Sequence, residues 1–191
     1  MIAAPTSTAA SPRLSELPKI NWHYLIALGG NVRHPRHGAP PQVLRAALAA
    51  LDAAPDIVLA ATSPILASAP FGPSRRRYAN AAAIVASTLA PPLLLARLHA
   101  IEQRFARRRR GRRWGARTLD LDIVLWSDGA WASPGLTVPH PAFRERAFVL
   151  APALAIARAW RDPLSGHTIA HLAARLRKLR PLPPSSCTAP G

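Results

Sequence analysis

The apolar run Trp22-His23-Tyr24-Leu25-Ile26-Ala27-Leu28 stops at Gly29-Gly30-Asn31, which predicts a strand closed by a turn. A loop with Pro35, Gly38, Pro40 and Pro41 follows. Over 42–53, Leu44, Ala47, Leu48 and Leu51 recur at helical spacing and predict an amphipathic helix. Residues 57–67 predict a strand, with Pro64 marking an edge or an irregularity. Ala69-Pro70-Phe71-Gly72-Pro73 is a rigid loop, and 78–88 is a further strand. A helix is expected over 91–105, with Leu94, Leu98, Ile101 and Phe105 on its apolar side. Pro91 and Pro92 fit its first turn, and Thr88 is a candidate cap. Next come a basic loop and a strand running to about 126. A turn at Asp128-Gly129, an extended stretch at 136–138 and helices over 144–150 and 168–178 complete the pattern.

The order β, α, β, β, α, β, then helices, is the split βαβ arrangement of a ferredoxin-like α+β sandwich, a mostly antiparallel sheet with helices packed on it. Helices are expected on one face, leaving the other face or the strand ends for function. Residues 1–20 lack periodicity and read as a disordered extension, 21–180 as one domain, and 181–191 as a loose tail.

The composition narrows the class. A chain of 191 residues with 49% hydrophobic content can build one real core. No apolar run reaches the roughly 18 residues of a membrane span, and the N-terminus does not read as a secretory signal. Cys187 is the single cysteine, which excludes an internal disulfide and a cysteine zinc cluster and points to the cytoplasm. The net charge of +16 calls for a polyanionic partner, either nucleic acid or a smaller phosphorylated ligand.

The chemistry concentrates in one stretch. In Arg113-Trp114-Gly115-Ala116-Arg117-Thr118-Leu119-Asp120-Leu121-Asp122-Ile123-Val124, two carboxylates sit two residues apart in a strand. Period-two alternation turns Asp120 and Asp122 to one face, roughly 6.6 Å apart at Cα, with Leu119, Leu121, Ile123 and Leu125 on the other. Paired carboxylates repel unless a cation lies between them, and hard oxygen donors suit Mg²⁺. The adjacent arginines match phosphate geometry, so nucleotide phosphoryl chemistry is the leading class. Neither the Gly-x-x-x-x-Gly-Lys-Ser/Thr loop nor Gly-x-Gly-x-x-Gly is present, so any nucleotide site relies on side-chain cations and metal. Tyr78 and Asn80 share a strand face, and with Phe71 and Phe148 beside loops they could hold a flat heterocycle. His167 and His171 have i, i+4 spacing without an evident third zinc ligand, whereas His140 beside Arg144 and Arg146 suits a phosphate.

Taken together the chain resembles the 6-hydroxymethyl-7,8-dihydropterin pyrophosphokinase family of folate synthesis. The resemblance runs from Tyr24 to Ala153 and rests on the Arg113–Val124 stretch. Supporting pieces are Ala27–Asn31, Ala69–Pro73, Tyr78–Asn80, Ile101-Glu102, and Leu136–His140 followed by Arg146–Phe148. It implies transfer of a pyrophosphoryl group from ATP to the pterin hydroxymethyl oxygen, with release of AMP. It also implies two Mg²⁺ ions on Asp120 and Asp122, with Arg107 and Arg109 as catalytic phosphate clamps. Further ATP contacts are implied at His99, Glu102, Trp114, Arg117, Ile123, Thr137, His140 and Arg146. Pterin contacts are implied at Ser68, Phe71, Tyr78, Asn80, Trp114 and Phe148. The chain departs from the family pattern at Gly30, where serine is common, at Ala116 in place of proline, at His99 in place of glutamine, and at Pro141. A monomer is implied, with no membrane or nucleic-acid partner. The competing readings are a nucleic-acid-binding α+β module and an inactive relative; the first lacks the Gly-Phe-type aromatic motif that RNA-binding sheets of this shape carry.

Overall fold

The computed structural model describes residues 22–68, 77–105 and 117–179. The expectations for both chain ends, for the 69–73 loop and for the arginine-rich loop lie outside these residues. Chain order is β1 (Trp22–Gly30), α1 (Pro40–Asp52), β2 (Ile57–Thr62), β3 (Leu66–Ser68), β4 (Tyr78–Ser87), α2 (Pro91–Arg104), β5 (Asp120–Trp126), β6 (Trp131–Ser133), β7 (Leu136–Val138), a 3-10 turn (Phe143–Glu145), α3 (Ala147–Ile156) and α4 (Ile169–Leu179). The main sheet runs β2-β4-β1-β5, with β3 added beside β2 along β4. All its pairings are antiparallel. This is the predicted ferredoxin-like order. Two long connections, through α1 and α2, each step over one central strand.

Alternation along the central strands builds two cores. Tyr24, Ile26 and Leu28 of β1 and Ala81, Ala83 and Val85 of β4 pack with Leu44 and Leu51 of α1 and Leu94 and Leu98 of α2. Leu25 and Ala82 face the other way and pack with Leu150 and Ala153 of α3 and Leu172 of α4. Helices therefore lie on both faces, not on one as expected. The second pair covers only part of its face.

Four local expectations shift, each for a physical reason. β5 carries a bulge: Leu25 pairs with Leu125 and Ile26 with Ile123, so Val124 is the extra residue. The bulge resets the alternation, and Leu125 packs with α3 and α4 instead of joining Leu119, Leu121 and Ile123. α1 starts at Pro40, because proline at the first helical positions sacrifices no hydrogen bond. Likewise α2 is preceded by Ala90 rather than capped by Thr88; Pro91 and Pro92 bring no N–H to cap. The helix expected over 144–150 is a 3-10 turn followed by α3, which continues past a buried Pro152. The extended stretch expected at 136–138 is β7; its pairing with β6 in a hairpin of three-residue strands is an addition. Among the described residues no helix is long and apolar enough to cross a membrane.

Candidate active site

The uncovered end of the second sheet face is a cavity of about 470 Å³. Strand register builds its floor. Asn80 of β4 pairs with Gly29 of β1, which pairs on its other side with Asp120 of β5. In the next row on that face Ala82 pairs with Ala27, and Ala27 with Asp122. A polar reader on β4 and two carboxylates on β5 thus flank a β1 floor of no more than one carbon per side chain. Two strand spacings, about 10 Å, separate the two flanks.

On the β4 side, Ser68, Tyr78 and Asn80 line the cavity. Asn80 is 5% exposed, and its Nδ2 donates to Ser68 Oγ at 2.9 Å. That contact fixes the amide and turns its Oδ1 toward Gly29. On the β5 side, Asp120 and Asp122 line the cavity together with Arg117. Burial, then the neighbouring Asp120, push the Asp122 carboxyl above its ordinary value, while His140, Arg146 and Arg117 pull it back only in part. Arg117 forms an ion pair with Asp120. Asn31 grips Arg117 from behind: its Oδ1 accepts the Arg117 N–H at 2.8 Å, and its own N–H donates to the Arg117 carbonyl at 2.9 Å. Gly30 lets the chains close here, for a Cβ at this position would meet the Thr118 carbonyl oxygen at 2.4 Å.

The third wall is the turn after β7. The His140 N–H donates to the carbonyl of the bulged Val124 at 3.0 Å, which ties the turn to β5. The Ala142 N–H donates to His140 Nδ1 at 3.2 Å, so the neutral ring carries its proton on Nε2 as a donor. Burial holds the His140 pKa below its ordinary value against the pull of Asp122. Arg146 and Phe148 complete this wall, with the guanidinium 5.8 Å from the Phe148 ring centroid.

Nine of the residues singled out in the sequence therefore meet in one cavity. Four lie off it. Glu102 is 1% exposed on α2, and its Oε1 accepts the Leu121 N–H, at 2.8 Å, on the open edge of β5. By alternation the Ile123 peptide groups point to that same edge, while its side chain joins the α1/α2 core. His99 lies half-buried on α2, and Thr137 is exposed on β7. Phe71, Arg107, Arg109 and Trp114 are outside the described residues. Sequence reasoning missed the floor residues Ala27 and Gly29 and the brace Asn31. Alternation on β1 would have found the floor, had the strand order been laid out in register.

Comparison with known proteins identifies the family and the fold. Residues 25–158 match the family model for 7,8-dihydro-6-hydroxymethylpterin-pyrophosphokinase. A 2-amino-4-hydroxy-6-hydroxymethyldihydropteridine pyrophosphokinase of Synechocystis is 40% identical over 148 residues, covering 78% of this chain and 73% of the relative. The enzyme of the same name from Pseudomonas aeruginosa is 41% identical over 150 residues, covering 78% and 89%. In the fold, the chain is similar to the crystal structure of Plasmodium falciparum HPPK-DHPS, with a TM-score of 0.59 at 12% identity. That similarity covers 82% of this chain and 42% of the solved one, so the chain spans less than half of that protein. With the family model covering most of its length and relatives at this identity, the chain belongs to the 7,8-dihydro-6-hydroxymethylpterin-pyrophosphokinase family.

Proposed function

We propose that this protein transfers the pyrophosphoryl group of ATP to the hydroxymethyl oxygen of 6-hydroxymethyl-7,8-dihydropterin, forming the pterin diphosphate and AMP, a step of tetrahydrofolate synthesis. The observation that carries the reading is the placement of the Asp120/Asp122 pair and of Tyr78 and Asn80 on opposite flanks of one small-floored cavity, with Phe148 on its third wall.

Asp120 and Asp122 would hold Mg²⁺, two ions by the family pattern. The donor set fits, since burial and the neighbouring Asp120 carboxylate push the Asp122 carboxyl up, and a divalent cation held by the pair relieves that repulsion. When bound, the ions neutralise phosphate charge and stabilise both the attacking and the leaving oxygens. The chain's own work is positioning. Tyr78 and Phe148 stack on the heterocycle, and Asn80, held by Ser68, reads its edge. His140 Nε2–H, Arg146 and Arg117 donate to phosphate oxygens, and Arg117 exchanges its Asp120 partner for phosphate. Glu102 and Ile123 at the edge of β5, together with His99 and Thr137, would take the adenosine end. Arg107 and Arg109 keep the role of phosphate clamps, and Phe71 and Trp114 that of pterin contacts. The reading includes Mg²⁺ dependence, a monomer formed by residues 21–180, and a cytoplasmic location.

The test is AMP release from ATP, Mg²⁺ and the pterin by wild type and by Asp122→Ala. Pterin-dependent AMP from the wild type, reduced at least about a hundredfold in the variant, is expected. Absence of AMP from folded wild type would overturn the assignment in favour of an inactive relative.

A further inference from the structure

We propose that Asp162 is a positioning residue for the phosphate-binding turn 140–146, acting through Arg144; the proposal rests on the reading of His140 and Arg146 as ATP contacts. Neither residue lines the cavity, yet several donors besides Arg144 converge on Asp162. Arg144 Nε donates to Asp162 Oδ2 at 2.7 Å and Nη2 to Oδ1 at 2.6 Å, a two-pronged fork that fixes the guanidinium plane. The Leu164 N–H reaches Oδ1 at 3.2 Å, and the Ser165 hydroxyl donates to Oδ2. Asp162 is 0% exposed, so four donors converge on a carboxylate shut away from water.

The loop around it is built to that end. The Asp162 N–H donates to the His167 carbonyl at 2.9 Å, and the Gly166 N–H to the Asp162 carbonyl at 2.8 Å. Gly166 closes the turn at φ +69, a conformation side chains resist. What the loop holds is the middle of the phosphate-binding turn. Arg144 lies four residues after His140 and two before Arg146. Its guanidinium also rests 4.8 Å from the ring centroid of Phe143, a fully buried core residue. The Phe143 N–H donates to the His140 carbonyl at 3.1 Å, and the Arg146 N–H to the Phe143 carbonyl at 3.2 Å. A shift of Arg144 is therefore passed by backbone hydrogen bonds to both His140 and Arg146. An ordinary surface ion pair would need none of this burial. A fork aimed at the centre of the turn sets the separation and direction of His140 and Arg146.

The test combines AMP kinetics with titration of a non-hydrolysable ATP analogue in Mg²⁺, on wild type, Asp162→Asn, Arg144→Lys and the double variant. Each is measured at a temperature where circular dichroism shows it folded. Expected are a rise of about tenfold in ATP KM and analogue Kd for Asp162→Asn, a smaller rise for Arg144→Lys, and a double variant no worse than Asp162→Asn. Pterin KM should stay within about twofold of wild type. Unchanged ATP KM and Kd in both single variants, with only a lowered melting temperature, would overturn the proposal, as would an equal loss of pterin affinity. If Asp162→Asn fails to fold, Arg144→Lys decides alone. Wild type without AMP formation but with analogue binding would sink the proposed reaction while the titration still judges Asp162. Wild type with neither would sink both.

Discussion

At the scale of single residues, the cavity separates groups that read shape from groups that handle charge, and substitution should split the two. Asn80→Ala removes a nearly buried amide that Ser68 holds in place. It is expected to raise pterin KM by about tenfold or more, in line with the roughly 1–3 kcal/mol lost with a buried hydrogen-bonding group. ATP KM should barely change; steady-state kinetics with each substrate varied in turn would check both. Gly30 makes the opposite kind of contribution, through the space it leaves. Serine is common in the family at this position, but here any Cβ would press on the Thr118 carbonyl at 2.4 Å. Gly30→Ser is therefore expected to destabilise this chain by about 1–3 kcal/mol in urea unfolding, whereas Gly29→Ala, whose Cβ would lie 3.6 Å from Asn80 Oδ1, should fold normally. The sequence alone exposed Asp120 and Asp122 because alternation is a property of a few consecutive residues. It could not expose Asn31 or Asp162, whose roles exist only through contacts with residues 86 and 18 positions away.

At the scale of elements, local periodicity was legible and partner-imposed geometry was not. β1, β4 and α2 appear close to where their apolar patterns put them. The face of Leu125 was misjudged because the bulge at Val124 arises from pairing with β1. α3 runs past the expected end at residue 150, because Pro152, a helix breaker in isolation, is accommodated as a buried residue within it. The α3–α4 connection carries a pH signature. Burial raises the Asp162 pKa, but the hydrogen bonds from Arg144, Ser165 and Leu164 outweigh it and hold the carboxyl below its ordinary value. Its folded form thus binds protons less readily than its unfolded form. The stabilisation is present above the unfolded pKa of about 3.9 and is lost as pH falls through the folded one. Asp162→Asn, which weakens a pair whose Arg144 partner still reaches water, is expected to lower stability by about 1–3 kcal/mol near neutrality. The gap to wild type should narrow below about pH 4, as urea unfolding across pH would show.

For the whole molecule, the net charge of +16 acts on the two substrates unequally. ATP is a polyanion and the pterin is neutral. Raising salt from about 0.05 to 0.5 M shrinks the Debye length to a few ångströms and should raise ATP KM severalfold while leaving pterin KM nearly constant. Parallel loss of affinity for both would instead mean that the charge acts on folding rather than on capture. The bulge, finally, constrains where the chain can vary in length. Val124 both switches the facing of β5 and offers the carbonyl that anchors His140. Deleting it would straighten β5 with Leu125 still paired to Leu25 in the second core, but it would remove the carbonyl that anchors His140 and so detach the turn that carries it. Between Asp122 and His140, insertions and deletions should therefore be tolerated only in the β6–β7 hairpin, which gives that stretch a fixed beginning and end around an adjustable middle.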